Sequence, residues 1–165
     1  MITLVLGGAR SGKSTFAERL AARSLGPVTY VATMVLDDDV DVRARVAAHR
    51  LRRPAQWTTV DSEIDLERIL RTRSGTILID SLGPWIARLP NLECDVEGLC
   101  SALSARNDDT IIVSDEVGLG VHPATALGRD FRDVLGSLNQ AIARVADRVL
   151  LIVAGRALTL LADGE

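Results

Sequence analysis

The chain has 165 residues, 47% hydrophobic, 25% charged and 3% aromatic, with a formal net charge of −3. These values suit one soluble globular domain and exclude a disordered chain. The acidic balance, with no basic stretch flanked by aromatics, excludes a general nucleic-acid binder, and no apolar run approaches the roughly twenty residues of a membrane span. One count is unusual: 18 of the 19 basic residues are arginine, and the sole lysine is Lys13.

In chain order, the apolar pattern alternates between short β-branched runs and longer helical stripes. Ile2–Leu6 is a nearly continuous apolar run, as expected of a strand covered on both faces and too short for a signal peptide. A helix follows over Lys13–Arg23, a second strand over Val28–Ala32, and helices over Val40–Leu51 and Asp65–Arg71. Thr76–Asp80 is the next strand. Pro90–Asp109 is the least patterned stretch, read as a surface excursion with a weak helix around Val96–Ala105. Thr110–Ser114 and Val149–Val153 complete the buried strands, and Leu158–Leu161 suits a short last strand at the sheet edge. The clearest helix spans about Ala124–Asp147, with Leu127, Phe131, Val134, Leu135, Leu138, Ile142 and Val145 on one stripe. Strands alternating with helices imply right-handed crossovers and a doubly wound, mainly parallel α/β sheet in a single domain, 1–165.

Gly7-Gly8-Ala9-Arg10-Ser11-Gly12-Lys13-Ser14 fits G-x-x-x-x-G-K-[ST] and joins the first strand to the first helix, the context in which this pattern binds phosphate. The fold class expected is therefore a RecA-like or kinase-like P-loop domain. Glycines let successive N–H groups turn toward phosphate oxygens, and the helix presents its positive end to the same anion. Lys13 supplies a mobile charge for the β- and γ-phosphates, and the Ser14 hydroxyl is a candidate Mg²⁺ ligand. Asp80 closes an apolar strand and is the natural acidic partner for the metal, although a carboxylate there also suits a cap of the next helix, beginning at Ser81 or Leu82.

His49 continues an apolar stripe with Val42 and Val46, the setting of a packed core histidine. It also stands beside Arg50, Arg52 and Arg53, whose charges favour a neutral, nucleophilic imidazole and can neutralise a polyphosphate leaving group. His122 lies in a Gly/Pro-rich loop and reads as a surface residue. Glu116, after the strand ending at Ser114, is a possible metal or substrate ligand. Cys94 and Cys100, six apart, match neither a redox pair nor a zinc site and read as buried or idle thiols in a reducing cytosol, so a cytoplasmic address is expected.

The P-loop, Tyr30-Val-Ala-Thr33, Arg45-x-x-x-His49 leading to Arg53-Pro and Trp57, and Ser114-Asp-Glu-Val-Gly-Leu-Gly-Val-x-Pro123 occur in this order. Arg129-Asp-Phe-Arg-Asp133 and Leu138-Asn-Gln140 follow. Together they resemble the bifunctional adenosylcobinamide kinase/adenosylcobinamide-phosphate guanylyltransferase family of cobalamin assembly, from Gly7 to about Gly155. The resemblance implies phosphorylation of adenosylcobinamide by ATP or GTP, then GMP transfer from GTP through a guanylylated histidine to give adenosylcobinamide-GDP. It implies His49 as that nucleophile, Mg²⁺ as cofactor and a homotrimer. The nucleotide contacts it implies are Gly8 to Thr15 (Gly8, Ala9, Arg10, Ser11, Gly12, Lys13, Ser14, Thr15), Ala32, Thr33, Met34, Arg50, Leu51, Arg52, Arg53, Asp61 and Asp80. Within the resemblance, Asp115 stands where asparagine is commoner, and Asp61 and Asp80 where some members carry glutamate. Two other readings of the residues stay open here: a different small P-loop kinase with a structural His49, and a nucleotide-binding regulatory module without turnover.

Overall fold

The computed structural model describes residues 1–34, 53–61 and 64–162, and the helix expected over Val40–Leu51 lies outside them. Seven strands form one sheet: β1 (Ile2–Gly7), β2 (Val28–Ala32), β3 (Thr58–Asp61), β4 (Thr76–Asp80), β5 (Thr110–Asp115), β6 (Arg148–Val153) and β7 (Arg156–Leu160). Their spatial order is β3-β2-β4-β5-β1-β6-β7. The first six run parallel, and β7 returns antiparallel to β6.

The continuous apolar runs have the physical origin expected of them, since alternate side chains enter opposite cores. Ile2, Leu4, Val31, Ile77, Ile79 and Ile112 face one side. There they pack under α2 (Leu66–Thr72), α3 (Leu82–Ile86), α4 (Val96–Ser104) and α5 (Ala126–Val145). Val5, Tyr30, Leu78, Ile111, Val113, Leu150 and Ile152 face the other, against α1 (Lys13–Ala21) and Trp57. The sheet is thus covered on both faces, as the alternating pattern requires.

The helix expected near Val96–Ala105 is present, but two expectations need correction and one strand adds to them. Pro90–Asp109 is not a surface excursion. Leu99, Ala102 and Leu103 of α4 are buried in the larger core, and the Asp95 carboxylate caps the helix by accepting the Gly98 N–H at 2.8 Å. The spacing i, i+3, i+4 gives α4 a narrow apolar stripe, enough to seat a helix whose composition is otherwise mixed. The added strand is β3, whose sequence Thr58-Thr-Val-Asp61 carries no apolar signal because it is polar and largely exposed at the sheet edge. On α5, Leu135, Leu138 and Ile142 are buried as the stripe implies, but Leu127 is exposed near the helix start. The expected edge strand is present as β7, one turn beyond β6. Ala154 and Gly155 both have positive φ, and this two-residue turn matches the strand twist.

Arg106 ties the α2 and β4 region to β5. Its guanidinium donates to the carbonyls of Leu70, Arg73 and Gly75 and to the Thr110 hydroxyl, at 2.6–3.0 Å. Arg106→Ala is expected to lower unfolding free energy by about 2–3 kcal/mol, because four acceptors lose one charged donor. Denaturant titration would read this as a shifted midpoint with an unchanged slope, and nucleotide binding would persist.

Candidate active site

β1 ends in the loop Gly8–Gly12, which delivers the chain into α1. The turn needs Gly12 in a left-handed conformation, at φ 93°, which a β-carbon would oppose. No side chain caps α1, so its first N–H groups remain available to an anion. The loop is braced from behind: Gly155, in the β6–β7 turn, donates its N–H to the Ser11 carbonyl at 2.8 Å. The terminal hairpin thereby supports the loop formed at the opposite end of the chain.

The carboxyl ends of β4 and β5 place one acidic group against each of the two chemical side chains that open α1. The Ser14 hydroxyl donates to Asp80 Oδ1 at 2.9 Å. The Lys13 ammonium lies 2.7 Å from Asp115 Oδ1 and also donates to the Gly8 carbonyl at 3.3 Å. Asp80 Oδ2 accepts a hydrogen bond from the Tyr30 hydroxyl. Burial pushes the Tyr30 phenol well above its ordinary range, and the Asp80 charge and hydrogen bond add to the shift. Above the Tyr30 ring lies the Arg53 guanidinium, 3.5 Å from the ring centroid, and Trp57 stacks beside the ring at 6.4 Å. Arg53, Tyr30, Asp80 and Ser14 therefore form one connected row.

The expected site residues divide into groups. Gly7, Gly8, Ala9, Arg10, Ser11, Gly12, Lys13, Ser14 and Thr15 form the loop and first turn, with Asp80 at its side. Ala32 ends β2, with Asp61 and Asp80 as its register partners on the two flanking strands. Thr33 is buried, and its hydroxyl is engaged with the Ser81 backbone, donating to the carbonyl at 2.6 Å and accepting the N–H at 2.9 Å. Met34 is the last described residue before the gap, and Arg53 the first after it. His49, Arg50, Leu51 and Arg52 lie outside the described residues. Glu116 sits at the mouth of the loop, its N–H on the Gly7 carbonyl. Both its carboxylate oxygens accept N–H groups of its own turn, Gly118 at 2.8 Å and Leu119 at 3.1 Å. His122 is exposed, as expected, and its Nδ1 meets the Arg132 guanidinium at 2.8 Å.

Sequence reasoning assigned no role to Tyr30 or Asp115. A tyrosine inside an apolar strand reads as core, and only the parallel register of β2 with β4 brings its hydroxyl to Asp80. Asp115 carries the same signal as Asp80, an acid at the end of an apolar strand.

A phosphate loop with paired lysine and serine at the carboxyl edge of a doubly wound sheet defines a P-loop nucleotide-binding protein. Solved structures agree on the fold. Flagellar accessory protein FlaH from Methanocaldococcus jannaschii superposes with TM-score 0.58, at 18% identity, over 96% of this chain and 77% of that one. The KaiC-like protein PH0186 from Pyrococcus horikoshii gives 0.55 at 18% identity, over 91% and 71%. Residues 3–160 match the family described as cobinamide kinase / cobinamide phosphate guanyltransferase. The bifunctional adenosylcobalamin biosynthesis protein CobP of Pseudomonas aeruginosa is 42% identical over 164 residues, 94% of each chain. CobU of Escherichia coli, carrying the same description, is 33% identical over 177 residues, 94% of this chain and 97% of that one. The chain belongs to the cobinamide kinase / cobinamide phosphate guanyltransferase family.

The Tyr30 phenol gives the site a pH signature. A phenol whose folded pKa lies above its unfolded value of 10.0 stabilises the fold fully below that value, and this contribution is lost as pH rises beyond it. Unfolding free energy of the wild type should therefore fall above about pH 10. Tyr30→Phe should lack that component of the slope while being about 1 kcal/mol less stable at pH 8, since Asp80 loses a buried donor. Denaturant melts from pH 8 to 11 on the two proteins check both statements.

Proposed function

We propose that this chain performs two transfers at one edge of its sheet. It phosphorylates the hydroxyl of adenosylcobinamide with ATP or GTP, and then transfers GMP from GTP to the resulting phosphate, giving adenosylcobinamide-GDP. The observation that carries this reading is the pairing of Lys13 with Asp115 and of Ser14 with Asp80, which holds a phosphate-binding lysine and serine at the mouth of the loop. Membership of the family supplies the corrinoid substrate class.

In the first transfer, the loop N–H groups and Lys13 hold the β- and γ-phosphates while the substrate hydroxyl oxygen attacks the γ-phosphorus. The bond to the β-phosphate oxygen breaks, the hydroxyl proton passes to solvent, and the nucleoside diphosphate leaves with its charge neutralised by Lys13. The Ser14 hydroxyl and Asp80 carboxylate are adjacent hard oxygen donors, and these two residues would hold Mg²⁺. When bound, Mg²⁺ would offset the developing charge on the phosphate oxygens. Glu116 remains a weaker candidate ligand, its oxygens already committed to its turn.

In the second transfer, a His49 ring nitrogen attacks the α-phosphorus of GTP and pyrophosphate leaves, forming an N–P bond. A phosphate oxygen of adenosylcobinamide phosphate then attacks the same phosphorus, the N–P bond breaks and His49 is regenerated. Arg50, Leu51, Arg52 and Arg53 would line the nucleotide near this histidine, with Ala32, Thr33, Met34 and Asp61 at the ends of the neighbouring strands. The chain is read as a single domain, 1–165, acting in the cytoplasm as a homotrimer. What supports assembly is the edge strand β7, where, among the described residues, Leu158 and Leu160 are exposed together with Val153 and Leu161 beside it. Both cysteines are free thiols, in keeping with that address.

Two substitutions test the halves separately. With α-labelled GTP, wild-type protein should take up label that survives alkali and is released by acid, and His49→Ala should take up none. A wild-type protein that never labels sinks the transferase half. Lys13→Arg should cut phosphoryl transfer to adenosylcobinamide by at least about a hundredfold with the melting temperature retained, because a planar guanidinium fits the cradle poorly. Retention of normal kinase turnover would count against Lys13 at the phosphates.

A further inference from the structure

The Lys13 ammonium has a carboxylate partner in Asp115, and that carboxylate is firmly placed. Asp115 ends β5 directly opposite Gly7 in the register with β1. Its backbone carbonyl accepts the Asn139 side-chain N–H at 3.0 Å, which fixes the strand end against α5. On the other side lies Gly83 of α3, where a β-carbon would stand 2.2 Å from Asp115 Oδ2. Only glycine there lets the carboxylate occupy its present position. With Lys13 12% and Asp115 29% exposed, the pair is screened less than a surface ion pair.

We propose that Asp115 is a specificity-determining residue of the phosphate loop, a counter-ion that the nucleotide must displace from Lys13. This rests on the reading of the loop as the nucleotide site. A ligand reaches the ammonium only through its β- and γ-phosphates, and to capture it the ligand must outcompete a carboxylate 2.7 Å away. After the exchange, Asp115 stays beside the bound phosphates as a like charge. Both effects oppose binding, and both act only on ligands with phosphate beyond the α position. The carboxylate therefore lowers affinity for di- and triphosphates while leaving a monophosphate unaffected.

The test is equilibrium binding of GTP, GDP and GMP without Mg²⁺ to the full chain, as wild type and as Asp115→Asn, an isosteric change that fits against Gly83. Asp115→Asn should bind GTP and GDP about five- to tenfold more tightly, with GMP affinity unchanged. Unchanged or weaker GTP binding by a variant with wild-type melting temperature overturns the proposal. Equal tightening for GMP overturns it as well, since competition at Lys13 is then not the cause. Should Asp115→Asn fail to fold, Asp115→Ser removes the same charge with less bulk and is read by the same criteria. A wild-type chain that binds no GTP refutes the nucleotide-site reading itself and the counter-ion role with it. Wild-type binding without tightening in the variant refutes only the counter-ion.

Discussion

The site depends on parallel strands ending together. In the register of β1 with β5, Gly7 stands opposite Asp115, and in that of β4 with β5, Asp80 stands opposite Val113. These pairings bring the phosphate loop and two carboxylates to one edge, where α1 begins with Lys13 and Ser14. A slip of one residue in either pairing would turn an acid toward the opposite face of the sheet, because side chains alternate along a strand. The apolar runs that fill both cores hold that register, so the large hydrophobic clusters fix the chemistry at a few polar atoms.

The polar row extending from that edge connects two regions of the proposed reaction. Asp80 accepts from Ser14 on one oxygen and from Tyr30 on the other, which orients its carboxylate in one plane. The face of Tyr30 carries Arg53, the residue that resumes the described chain after the segment bearing His49. On the other flank of that segment, Met34 follows Thr33, which is fastened to the backbone of Ser81. The two attachment points of the segment thus converge on the end of β4, one through Tyr30, whose hydroxyl donates to Asp80, and the other through Ser81, which follows it. A protein that must serve the γ-phosphorus in one step and the α-phosphorus in another gains from having both flanks anchored to a common strand.

Much of this was legible in the sequence. The buried strands announce themselves through β-branched runs, and the loop through its lone lysine in a glycine frame; both signals arise from local requirements that few residue types meet. What was not legible depends on distant partners. Thr58–Asp61 pairs as an edge strand although its composition favours solvent. Leu99 and Leu103 are core residues only because α2 and α5 flank α4. Tyr30 reads as packing until β4 places Asp80 within reach of its hydroxyl, and Asp115 becomes a partner of Lys13 only through the register of β5 with β1. For Thr33 the motif pointed toward nucleotide, while its buried hydroxyl is engaged in holding Ser81. The distinction is physical: propensity and motif report what one segment needs, whereas a shared site reports which segments meet.

In the two proposed transfers one chain adds two phosphorus atoms to the same corrinoid, the first from a γ-phosphate and the second from the α-phosphate of GTP. Incubating the protein and Mg²⁺ with adenosylcobinamide and GTP carrying distinguishable isotopes at the α and γ positions tests this directly, with mass spectrometry of the corrinoid product. A bifunctional chain gives a product carrying both isotopes in equal amount together with guanosine. A corrinoid that gains the γ isotope alone would show a kinase without guanylyl transfer, and one that gains neither would refute both transfers.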